Sequence, residues 1–215
     1  MKKKLLTFED LNDFLAQKNE DITFSAADGQ GTQIIVQEPA VFESEYDPQD
    51  GLLKVHLKSC HILRNRNGSS ISEEAMTQAI PSFYNRPILG YIHQLEDGSY
   101  DFAGHEMFIN EDDELEYEEV PVGCIPESCN AQLVYDEEAD KTYLEVDGYI
   151  YEGYSRAADI LQDKETSKVS VEISVDEMSY SASDKVLNID KFHFLGVTIL
   201  GKDRTTEKIV EEGMV

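Results

Sequence analysis

The strongest constraint on this chain is a pair of long β-forming runs near its C-terminal end. Residues 168–180 and 186–200 carry Val, Ile, Phe and Tyr with a period of two, and a short polar stretch containing Asp184 separates them. That period belongs to strands, because successive side chains point to opposite faces of a sheet. The polar stretch reads as a turn. The two runs are therefore predicted to lie side by side and antiparallel, and the rest of the fold must be built around a sheet that long.

Other segments repeat the pattern. Residues 52–63 (LLKVHLKSCHIL) alternate strongly, residues 86–93 (RPILGYIH) have strand character, and residues 131–151 read as a hairpin around an acidic turn. Residues 22–42 are rich in β-formers, with Asp28-Gly29 as a turn. Helical signals are fewer. Residues 7–18 carry Phe8, Leu11, Phe14 and Leu15 on one face, behind a Thr7/Asp10 capping-box spacing. A second helix is predicted over 72–84, capped by Ser70 with Glu73 and ended or kinked by Pro81. A third falls at 155–163.

The predicted fold class is α+β, mainly β: a closed or partly open antiparallel β-barrel with a few short peripheral helices. No repeat or linker divides the chain, so residues 1–215 read as one domain. Residues 1–20 supply an N-terminal helix, and residues 205–215 read as a mobile charged tail.

Charge narrows the function. Forty-four acidic residues against 18 basic ones give a net charge of −26. Phosphate backbones repel such a surface, so direct nucleic-acid binding is not expected, whereas a basic partner is. Glu9, Asp10 and Asp13 interrupt any apolar signal region, and no apolar run is long enough to span a bilayer as a helix. Three cysteines, Cys60, Cys124 and Cys129, do not suggest a disulfide framework and fit a reducing compartment. Their spacing does not match a zinc site, and the acidic run 111–119 lacks the glycine of a calcium loop. No cofactor and no metal is expected.

Hydroxyl chemistry remains. A serine attacks a carbonyl when a base takes its proton and a third group orients that base. Ser170 shares a strand face with Glu172 and Ser174 by alternation. His105 follows Gly104 in FAGHEM, and His193 lies on the strand after Ser170, where cross-strand pairing offers side-by-side contact. His56, His61 and His93 complete the histidines. From the residues alone, several serine–histidine pairs stay open.

The segments NRPILGYI, DFAGHEM, VPVGCIPESCNA, YLEVDGYIYEGY, KVSVEIS and FHFLGVTILG, in that order across residues 85–201, resemble the prohead maturation proteases of tailed bacteriophages. The resemblance implies Ser170 as nucleophile and His105 as base, with His93 as an alternative base. It implies a fold like that of the herpesvirus assembly proteases, whose Ser-His-His triad maps its third member to His193. Glu172 and Asp190 are the alternatives at that position. Lys202 or Arg204, in the GKDR segment, would help hold the oxyanion. The implied partners are the capsid scaffold and the major capsid protein, with self-cleavage and possible homo-oligomers, in the host cytoplasm inside the assembling procapsid. A catalytically inactive scaffold or structural protein of the same fold is the main alternative, and a carbohydrate- or protein-binding β module is a third.

Overall fold

The computed structural model describes residues 8–18, 20–25, 32–38, 42–47, 51–65, 68–105, 107–109, 115–164 and 166–202. The expected Asp28-Gly29 turn, the Thr7 cap and the tail after residue 204 lie outside these residues.

The described residues are mainly β, with three short helices. Helix α1 is Phe8–Lys18, α2 is Glu73–Ala79 and α3 is Ala157–Asp163. The strands are β1 (Ile22–Ser25), β2 (Thr32–Glu38), β3 (Phe42–Asp47), β4 (Leu52–His61), β5 (Leu63–Arg64) and β6 (Ser69–Ile71). They continue with β7 (Arg86–Gly90), β8 (Ile92–Gln94), β9 (Tyr100–Phe102), β10 (Met107–Ile109) and β11 (Leu115–Tyr117). The last five are β12 (Val120–Ile125), β13 (Gln132–Asp136), β14 (Lys141–Tyr151), β15 (Lys168–Ser181) and β16 (Val186–Leu200).

One large sheet runs β1-β15-β16-β7-β12-β14-β4-β3, with β2 also on β15, β13 on β14 and β6 on β16. Most pairs are antiparallel, but β16 runs parallel to β7 and to β6. The sheet curls far enough for β4 to approach β15 and β2. No ladder joins them among the described residues, so the hydrogen-bonded ring is not closed there.

The alternation in the sequence explains which face is inside. On β4, Leu53, Val55 and Leu57 are buried while Lys54, His56 and Lys58 face outward. On β15, Val169, Val171, Ile173 and Val175 join the core with Val197 and Ile199 of β16. Each such side chain contributes about 1.5–3 kcal/mol on burial. The outward face of β4 is stitched to β14 by charge. His56 Nδ1 and Nε2 donate to Asp147 Oδ1 at 3.0 Å and Glu145 Oε2 at 3.1 Å. Burial pulls the His56 pKa down, but these two carboxylates outweigh it and the net shift is upward.

The second helix stops at Ala79 and Ile80–Phe83 continues as a 3-10 turn, in keeping with the break expected at Pro81. Two other local expectations are corrected. The cap of α2 is Ser72, whose hydroxyl accepts from Ala75 N at 3.1 Å; Ser70 lies in β6 instead. In α1, Leu15 is fully buried, but Phe14 turns out to solvent, with Lys18 Nζ 5.1 Å from its ring centroid.

The β15–β16 ladder carries the features that place the site. Its turn, 182–185, is held by the Ser181 hydroxyl donating to Asp184 Oδ2 at 2.8 Å, with Lys185 left-handed at φ 54°. Pairing starts at Ser181↔Val186. Farther along, the register skips Leu195, a β-bulge. The Phe194 N–H beside it donates to Ser82 Oγ at 2.8 Å, and the Phe194 ring stacks on Phe83 at 4.1 Å.

Candidate active site

Ser170 is fully buried and pairs with Thr198, itself fully buried. Directly opposed residues of an antiparallel pair share a face, so both hydroxyls lie on the side of β15 away from its valines. Glu172 shares that face by alternation. The Thr198 hydroxyl donates to Glu172 Oε1 at 2.7 Å.

The next two groups arrive through the β16-β7-β12 part of the sheet. Thr198 pairs with Leu89, and Gly90, one residue on, pairs with Val120. Glu119 immediately precedes that pair. On the other side of Gly90, Tyr91 O accepts from Ala103 N at 2.8 Å. The end of β16 runs along the same segment: Gly201 N donates to Ala103 O at 3.0 Å, and Lys202 N to Phe102 O at 2.8 Å. This approach requires a glycine, because a Cβ at Gly201 would stand 2.2 Å from Phe102 O. His105 follows two residues after Ala103.

The result is a buried histidine–carboxylate pair. His105 Nδ1 lies 3.1 Å from Glu119 Oε1, with side-chain exposures of 0% and 1%. An ionised carboxylate only accepts, so Nδ1 donates to Glu119; in a neutral ring so held, Nε2 is the nitrogen that carries the lone pair. Nε2 is buried and has no hydrogen-bond partner among the described residues. Burial pushes the Glu172 carboxyl above the usual range; the Thr198 hydroxyl and the His105 charge pull it down, and Glu119 pushes it up. Glu172 is thus influenced by both members of the His105–Glu119 pair, and through Thr198 it is tied to the residue that stands across from Ser170.

His193 does not join it. It pairs with Ser174, four positions along β15 from Ser170, which is roughly 13 Å at strand rise. Its Nδ1 lies 3.5 Å from Asp176 Oδ2, and its side chain is 36% exposed. The expected side-by-side placement of Ser170 and His193 is thus corrected by the register that the 182–185 turn imposes. His93 Nε2 donates to the Lys202 carbonyl at 3.1 Å, opposite Asp101 on β8–β9. Asp190 is exposed on the same strand as His193. Lys202 is half-buried, and Arg204 lies outside the described residues.

His56 is engaged with Asp147 and Glu145. His61 donates from Nδ1 to the Ile62 carbonyl and accepts from Lys141 Nζ at Nε2. Glu119 is the residue that the sequence reading passed over, as the last member of the acidic run 111–119. Its position just before the strand VPVGCI was the available signal, since it is the acid of that run closest to a buried strand. Among the described residues, no group of three or more His, Cys, Asp or Glu side chains is arranged to hold a metal ion, and no helix is long and apolar enough to cross a membrane.

In class, this is a mainly β domain with a buried His–Glu pair beside a serine strand. The chain belongs to the YonD N-terminal domain family, whose model matches residues 51–214, and the family is phage-type. The match names no protease family. No curated protein and no solved structure matches the chain.

Proposed function

We propose that this domain is a serine endopeptidase of the prohead maturation type, on a herpesvirus-protease-like, partly open barrel. Ser170 is the nucleophile, His105 the base and Glu119 the group that orients the base. One observation carries the reading: His105 offers a buried, unpartnered Nε2 because Glu119 holds its Nδ1. This is the tautomer that a general base needs. His105 takes the Ser170 hydroxyl proton as Oγ attacks a peptide carbonyl, and Glu119 stabilises the imidazolium that forms. The proton then passes from His105 to the leaving amine, and water releases the acyl group by the same route in reverse. The substrates in this reading are the scaffold and major capsid proteins, cut inside the procapsid in the host cytoplasm, together with the enzyme itself.

The test is processing of the coexpressed scaffold and capsid protein. Ser170→Ala and His105→Ala should each abolish it; full processing by Ser170→Ala sinks the reading.

A second reading is favoured by a different observation. Ser170 is fully buried and His105 is only 2% exposed, so neither meets solvent. A structural capsid component of this fold, with the buried polar cluster serving only to fix its core, fits that closure. A fluorophosphonate probe that fails to label Ser170, with capsid shells assembling normally on the Ser170→Ala variant, would favour it.

A further inference from the structure

The β10–β11 hairpin stands apart from the large sheet as a two-stranded ladder of its own. Its two roots are the buried pair: β10 starts two residues after His105, and β11 ends two residues before Glu119. We propose that this hairpin is the positioning element of the site, and that its register, set at the Met107↔Tyr117 rung, selects Glu119 as the partner of His105. The catalytic meaning of that selection rests on the serine-protease reading above.

The ladder fixes which residue faces which. Met107 pairs with Tyr117, Phe108 with Glu116 and Ile109 with Leu115, with no shift of register between them. Carried two residues outward on each side, the same register sets His105 opposite Glu119. Directly opposed residues of an antiparallel pair have Cβ atoms about 4.5–5.5 Å apart, within reach of a side-chain hydrogen bond. The 3.1 Å contact between His105 Nδ1 and Glu119 Oε1 is the contact that this placement gives. Two residues are one full side-chain repeat of a strand, so Glu119 falls on the same face as Tyr117.

The large sheet brings the two segments together but leaves their facing open. On one side it holds Val120, opposite Gly90. On the other it holds Ala103, through Tyr91 and Gly201, and the chain bends at Gly104 before His105 is reached. A bend tolerates more than one facing of the next residue, whereas a ladder slipped by one residue turns every side chain to the other face. The slip has a definite alternative here, because it would set Glu118 opposite His105. Glu119 is buried and Glu118 is half-buried, although the two are adjacent acids in one run.

The experiment follows two readouts in the full 215-residue chain. One is the Nδ1 proton of His105, which a buried carboxylate acceptor holds downfield and protects from exchange; its NMR signal is identified by its loss in His105→Gln. The other is the rate of Ser170 labelling by a fluorophosphonate, with Ser170→Ala as the blank. Deleting Glu118 moves Glu119 one position along the ladder. The proton signal should vanish and labelling should fall by about 10²–10⁴-fold. Deleting residue 106 as well restores the register, and should bring back the signal and return labelling to within about tenfold of the parent. Glu118→Ala removes the charge but keeps the register, and should match the parent in the signal and within about twofold in labelling. A single deletion that unfolds while the double deletion folds with its signal restored also supports the proposal. A single deletion that keeps the signal overturns it, and so does a double deletion no better than the single one, or loss of the signal in Glu118→Ala. Labelling of the parent no greater than that of Ser170→Ala overturns the protease reading, while the proton signal still decides the role of the hairpin.

Discussion

Glu119 Oε1 lies 3.1 Å from His105 Nδ1, and both side chains are withdrawn from solvent. The two residues are 14 apart in sequence and meet because β7 brings their segments to its end from opposite sides. The pair has both a stability consequence and a chemical one. Glu119→Ala leaves a buried imidazole N–H without its acceptor and should cost about 1–3 kcal/mol in urea unfolding. Glu119→Gln keeps the shape but lets the ring adopt the wrong tautomer. Fluorophosphonate labelling of Ser170 should then fall by about 10²–10⁴-fold with the circular dichroism unchanged. Labelling at the parental rate would remove Glu119 from the site.

His193 gives the opposite expectation. It sits roughly 13 Å along the ladder from Ser170 and faces Asp176. His193→Ala should label at Ser170 within about twofold of the parent and shift stability by less than about 1 kcal/mol, as for a part-exposed ion pair. A hundredfold loss of labelling would restore it as a site residue.

Gly201→Ala should act on the site from the backbone. The added methyl meets Phe102 O at 2.2 Å, so the end of β16 must leave the segment that carries His105. Overpacking of this kind costs about 1–3 kcal/mol. Thermal melting reads the loss of stability, and Ser170 labelling should fall with it. A variant with parental melting and labelling would show that this docking does not position His105.

The His56 cluster predicts a pH dependence of stability. The folded pKa of His56 is raised above 6.5, so its contribution is fully present below that value and is lost as pH rises through the raised value. For Asp147, burial pushes the pKa up, but hydrogen bonds from His56 and Asn130 and the charge of Lys54 bring it below 3.8. Its contribution is present above 3.8 and is lost as pH falls through the lowered value. The urea midpoint of His56→Gln should therefore trail the parent most between these two ordinary values and converge with it in alkali. An equal gap at pH 5 and pH 9 would dismiss the cluster as a pH-dependent element.

At the other end of the fold, Ser72→Ala should destabilise by about 1 kcal/mol through loss of the α2 cap. Ser70→Ala should stay within about 0.5 kcal/mol. Chemical denaturation of the two variants side by side decides which serine is the cap.

The strands were the legible part of the sequence, because alternation over 52–63, 168–180 and 186–200 reports a buried face directly. The turn at Asp184 was legible too, and it carried more information than the sequence reading drew from it. From the Ser181↔Val186 pair, eleven residues back is Ser170 and eleven on is Val197, so His193 was never within reach. Bulges at Asp176, Asp190 and Leu195 adjust that count to Thr198, and beside the last of them the Phe194 amide donates to Ser82, a contact across 112 residues. The cap was misplaced by two residues because Ser70 and Ser72 both precede acids; β6 pairing with β16 claims Ser70. Glu119 was only faintly legible for a similar reason. Within seven acids, only the place where β12 begins distinguishes the one that turns inward, and strand boundaries are set by pairing rather than by composition.

The β15–β16 ladder also bears on the order in which the molecule assembles. Its strands are joined by a tight turn, so loop closure is cheap and the pairing is of the kind that forms in microseconds. Ser170, Glu172 and Thr198 all ride on that one local unit. His105 and Glu119 depend on β16 meeting β7, where Val197 pairs with Ile88 across 109 intervening steps of chain. Such distant closures come late in folding. The strand that carries Ser170 is thus expected to form before His105 and Glu119 reach it, so that on the serine-protease reading the serine stays inert until the rest of the sheet has closed around it.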